Sequence, residues 1–103
     1  MKQKSFELKS KLNESLNTEI AFAIATSRAE GVEIVKMILA PEIIKKEAFV
    51  MKTLRNMKAN GKIQLFERSE NLASDTTEAR YLRNKYLDLI KESTDEHSYI
   101  IKL

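Results

Sequence analysis

The chain has 103 residues, 43% of them hydrophobic and 32% charged, with a net charge of +3 at pH 7. That length and balance describe one folded domain with a single modest core, and exclude a disordered tail. With no cysteine, one proline and two glycines, it is not a disulfide scaffold, a cysteine-type zinc protein or a thiol enzyme, and the scarcity of turn formers argues for a mainly helical fold rather than an all-β one.

In chain order, residues 5–16 carry Leu8, Leu12 and Leu16 at helical spacing, with Ser5 as N-cap. Residues 19–30 are alanine-rich (Ala21, Ala23, Ala25, Ala29), which favours helix, and Gly31 stands where a helix-ending glycine is expected. Residues 32–39 fit either a helical face through Ile34, Val35, Ile38 and Leu39 or a buried β-branched strand. Pro41 marks the next boundary and suits the first turn of a helix. Residues 41–59 give the clearest helix. Ile43, Ile44, Ala48, Val50, Met51, Leu54 and Met57 form a broad apolar face, with Lys45, Phe49, Lys52 and Asn56 opposite. Asn60-Gly61 ends it, and residues 62–67 read as a short strand. Asp75-Thr76-Thr77-Glu78 has capping-box spacing, with Asp75 as N-cap of a helix running to Ser93 through Ala79, Leu82, Tyr86, Leu89 and Ile90. Residues 97–103 predict a terminal strand, with Tyr99, Ile101 and Leu103 on one side.

Strand 62–67, helix 75–93 and strand 97–103 have the order of a βαβ unit, which predicts a parallel, right-handed pair needing a third strand from 32–39 or another copy. The expected class is therefore α+β, mainly helical, with three to four helices packed on a small sheet of two or three strands. All 103 residues form one domain.

Charge is distributed unevenly. Between Lys36 and Lys62 seven basic residues face two acids, a local excess of +5. Such asymmetry suits a polyanion on one side or contact between copies. Residues 32–39, Ala40-Pro41, residues 42–59 and Gly61-Lys62-Ile63 follow the element order of a winged-helix domain. In that arrangement Lys45, Lys46, Lys52 and Arg55 meet phosphates and Asn56 reads a base edge, while Phe49 stacks on a base, anchors a protein partner or, most economically, is covered by the N-terminal helix. Against it stand the bulky Ile43-Ile44 at the helix start, the missing return strand, and Glu67 and Glu70 where the wing approaches phosphate.

No catalytic constellation is legible. His97 is the only histidine; with Asp95 and Glu96 it makes a poor metal site, because adjacent strand residues point to opposite faces. Asp88 and Glu92 share a helix face but not a cleft. Glu47 is the unusual acid. It falls within the apolar face of 41–59, so it must either meet a basic residue from another segment or chain, or reach solvent at the edge of that face.

The expectation is a small non-enzymatic protein-binding or regulatory module without metal or cofactor. It would act through helix faces and the C-terminal strand on a protein partner or a second copy, with Glu47, Tyr99 and Ile101 as candidate interface residues. The alternative is a DNA- or RNA-binding regulator using Lys45, Lys46, Phe49, Lys52, Arg55 and Asn56. Residues 20–25 are the longest apolar run and far too short for a bilayer span, and no signal peptide is visible. A soluble, cytoplasmic protein is expected.

Overall fold

The computed structural model describes residues 3–72, 76–85 and 97–103. Period-two alternation sets the first element. Gln3, Ser5 and Glu7 are exposed while Lys4, Phe6 and Leu8 turn inward, and Gln3–Leu8 is strand β1. The expected helix over 5–16 is thus corrected: parallel pairing with a strand about thirty residues on outweighs a three-leucine helical pattern. Leu12, read as part of that helix's apolar face, is 70% exposed.

Helix α1 (Asn13–Ala29) buries Leu16, Ile20, Ala23, Ile24 and Ser27, a stripe at i, i+4, i+7, i+8 and i+11. Gly31 (φ +73°) ends it as anticipated. Val32 N–H donates to Ser27 O at 2.9 Å and Gly31 N–H to Arg28 O at 3.1 Å, the paired bonds of a left-handed glycine cap.

Strand β2 (Ile34–Leu39) resolves the ambiguity at 32–39. It pairs parallel with β1 on one side and antiparallel with β4 (Ser98–Lys102) on the other. The winged-helix order requires a helix there, so that element order does not hold.

Residues 41–59 are helical but broken. Pro41–Lys46 is a 3-10 turn in which Ile43 leaves helical geometry (φ −121°), and α2 proper runs from Glu47 to Ala59. The adjacent β-branched pair Ile43-Ile44 is a poor helix former, which accounts for the break. Gly61 (φ +73°) caps α2 as Gly31 caps α1, with Lys62 N–H donating to Met57 O and Gly61 N–H to Lys58 O.

Strand β3 (Leu65–Arg68) and a short 3-10 turn (Ser69–Asn71) lead to α3 (Thr77–Lys85). The Ala79 N–H donates to Thr76 Oγ1 at 3.2 Å, so the N-terminal cap is supplied by Thr76. Asp75, and the expected helical positions 86–93, lie outside the described residues.

Among the described residues the sheet has four strands, in the order β1-β2-β4-β3. β3 and β4 are neighbours, as expected, but antiparallel, so the proposed βαβ crossover is corrected. The parallel crossover in this fold is β1-α1-β2. An α+β architecture stands, with four strands where two or three were anticipated.

The sheet separates two layers. On one face α1 and α2 cover Val35, Met37, Leu39, Tyr99 and Ile101. On the other, Leu72 and Leu82 pack on Ile34 and Ile100. Tyr99 and Ile101 are fully buried in a strand flanked on both sides, so neither is open to a partner as the terminal-strand reading required. Among the described residues no helix is long and apolar enough to cross a membrane.

Candidate functional site

Six residues of the 41–59 region stood out in the sequence, and the fold divides them between two flanks of α2. Phe49, Lys52 and Asn56 fall at i, i+3 and i+7. They line a groove whose opposite wall is the start of α1, Asn13, Glu14 and Asn17. Phe49 is half-buried and packs against the core from the floor of this groove. Lys45 and Lys46, on the 3-10 turn, line a neighbouring recess with Lys11 and Glu42. Lys46 Nζ donates to Asn13 Oδ1 at 2.8 Å, which joins recess and groove. Arg55 points to the other flank, into a recess shared with Glu47, Met51 and Arg68.

Several cations elsewhere are held in ion pairs. Lys4 is paired with Glu30 at 2.8 Å, Lys9 with Glu7 at 3.5 Å and Lys58 with Glu78 at 3.3 Å, and Arg68 meets Glu47 and Glu70. Among the described residues Lys11, Lys45, Lys52 and Arg55 make no ion pair or side-chain hydrogen bond. Glu14 and Glu42 share the surface, so it is mixed, with cations in excess.

The start of α2 holds a second cluster. Across one row of the sheet Phe6, Met37, Tyr99 and Arg68 are successive cross-strand partners. That row ends in a guanidinium directly beneath Glu47, which is 24% exposed and forms an ion pair with Arg68. The sequence reading of Glu47 posed a choice between a basic partner and an edge position, and both descriptions apply. Glu70 pairs with the same guanidinium nitrogen of Arg68. His97, two residues before Tyr99 on the same face, brings Nδ1 to 3.9 Å from Glu47 Oε2.

The Tyr99 hydroxyl lies in this cluster. Burial pushes its pKa up, the neighbouring Glu47 charge pushes the same way, and Arg68 opposes them. Buried polar atoms are nearly always hydrogen-bonded. Here His97 Nδ1 and Tyr99 Oη are buried and in hydrogen-bonding geometry to nothing, and Glu47 Oε1 is met only by the Arg68 guanidinium. Among the described residues no set of three or more His, Asp or Glu is placed to hold a metal ion.

Sequence reasoning found one wall of the α2 groove and missed the other, because Asn13 falls in the helix expected over 5–16 and Asn17 in the junction between it and the helix expected over 19–30. It also missed Arg68, whose role depends on register with Tyr99 and leaves no local signal. No protein-family model, curated protein or solved structure matches this chain.

Proposed function

We propose that the chain is a DNA- or RNA-binding protein that holds a single strand along the 3-10 turn and the α1–α2 groove. The observation that carries this reading is the concentration of uncommitted cations there, Lys11, Lys45 and Lys52, around a groove lined by three side-chain amides and floored by an aromatic ring. Lysines engage phosphates without regard to sequence, whereas Asn amides present a donor and an acceptor to a base edge. Phe49 sits at the bottom of a concave surface, so a base must leave its helix to reach the ring, which favours a single strand over a duplex.

The test is fluorescence anisotropy of labelled single-stranded RNA and DNA against salt. Binding that weakens steeply as salt rises, and falls at least tenfold with Lys45→Glu plus Lys52→Glu, is expected. Binding unaffected by that double charge reversal would overturn the assignment of the surface.

The protein-binding reading loses its terminal strand to the core. It rests on Leu12, 70% exposed, and Phe22, 68% exposed on the outer side of α1. A dimer in light scattering that Phe22→Ser dissolves would favour it.

A further inference from the structure

Ala48, Met51, Arg55 and Ala59 fall at i, i+3, i+7 and i+11 of α2, so they form a stripe along the flank opposite the Lys52–Asn56 groove. The edge strand β3 faces that stripe. Phe66 and Arg68 share a sheet face with their cross-strand partners Ile101 and Tyr99, the face that α1 and α2 cover. Two adjoining recesses lie between helix and strand, and Met51 and Arg55 line both. The larger, of about 560 Å³, also takes in Lys58, Ala59, Phe66, Glu67 and Glu78, and its volume lies in the range that holds a small molecule (roughly 300–1,000 Å³). The smaller continues along α2 to Ala48, Glu47 and Arg68.

The charges lining these recesses are matched, with one exception. Lys58 pairs with Glu78 at 3.3 Å at one end, and Arg68 pairs with Glu47 and Glu70 at the other. Glu67 accepts from the Arg68 N–H at 2.9 Å and from Asn71 Nδ2 at 3.4 Å. Every acid in the lining therefore has a donor, and Lys58 and Arg68 have their carboxylates. Arg55 has neither an ion pair nor a side-chain hydrogen bond. An exposed guanidinium needs no partner in water, but this one shares its recess with Met51 and Phe66, two half-buried apolar side chains packed on the core. A ring prefers the company of another ring, and a thioether adapts to its edge. A guanidinium offers two parallel N–H groups to a carboxylate. We propose that this recess is a binding site for a small aromatic carboxylate, with its ring against Met51 and Phe66 and its carboxylate on Arg55. One guanidinium balances the single charge of a carboxylate, whereas the second charge of a phosphate monoester finds Lys58 and Arg68 already taken. The site lies across α2 from the nucleic-acid surface and does not depend on it.

The experiment is an amide NMR titration of the labelled full chain with naphthoate at neutral pH. Naphthamide, its uncharged isostere, and acetate, its charged head alone, are titrated in parallel. Saturable shifts at Ala48, Met51, Arg55, Ala59 and Phe66 are expected, with a Kd of about 1 mM or tighter, as the ordinary efficiency of a ligand this size gives. Naphthamide and acetate should each bind at least about tenfold more weakly, one losing the charge-assisted hydrogen bonds and the other the apolar contact. Arg55 is exposed, so Arg55→Gln leaves the core in place. It should weaken naphthoate by at least about tenfold, and Arg55→Lys should recover part of the loss. No shifts by about 10 mM naphthoate, or shifts centred on Lys11, Lys45 and Lys52 instead, would overturn the proposal. So would equal binding of naphthoate and naphthamide, or a Kd in Arg55→Gln equal to that of wild type.

Discussion

Arg68 projects from the last residue of β3 between two carboxylates, Glu47 on α2 and Glu70 on the following turn. It joins three segments, and truncating it leaves Glu47 half-buried without its partner. Arg68→Ala should therefore destabilise the fold by about 2 kcal/mol, within the range for losing a charged partner, and Arg68→Lys should recover only part of this because it lacks the planar fork. Urea denaturation measures both. Tyr99 behaves differently with pH. Its phenol is held neutral in the fold, above the ordinary tyrosine value of about 10. The stability linked to that shift is fully present below about pH 10 and is lost as pH rises toward the folded-state value. Tyr99→Phe removes a buried hydroxyl that has no hydrogen-bond partner. It should be near neutral at pH 8 and more stable than wild type at pH 11, so the gap between urea midpoints should widen with pH. An equal gap at both values would mean that the phenol does not titrate with unfolding.

At the scale of elements, the glycines are the clearest test. Gly31 and Gly61 both sit at φ +73° in matching caps, and no atom crowds the position a methyl group would take. Alanine at either site should cost about 1 kcal/mol through backbone conformation alone, and asparagine less. Strand β4 is central, bonded to β2 and β3, so removing residues 98–103 should abolish the folded far-UV spectrum rather than release an interface. These features were unequally legible. The ends of α1 and α2 could be read because glycine announces a left-handed cap locally. The terminal strand at 97–103 could be read from its alternation. The edge strand β1 could not, since Lys4, Phe6 and Leu8 give only three inward positions and their partner in β2 lies about thirty residues away. The break at Ile43 left a weak trace in the Ile43-Ile44 pair. The candidate site follows the same division. Phe49, Lys52 and Asn56 share a face by helical spacing alone, whereas Asn13 and Asn17 join them only through tertiary packing, and Arg68 and His97 reach Glu47 on the other flank only through strand register.

For the whole molecule, α2 acts as a ridge between two recesses, with Lys52 and Asn56 on one flank and Arg55 on the other. The excess positive charge of residues 36–62 is carried largely by this ridge and the turn before it. If the strand lies along it, the dependence of log affinity on log salt should become shallower by about one to two when Lys45 and Lys52 are both reversed, reflecting two lost phosphate contacts. The most direct measurement is a two-dimensional amide NMR titration of the labelled chain with a short single-stranded RNA at low salt. Shifts concentrated at Lys11, Asn13, Asn17, Lys45, Lys46, Phe49, Lys52 and Asn56, fading as salt is raised, are the predicted result. Shifts confined to the outer face of α1 around Phe22 or to the edge of β1, or none at any RNA concentration, would contradict it.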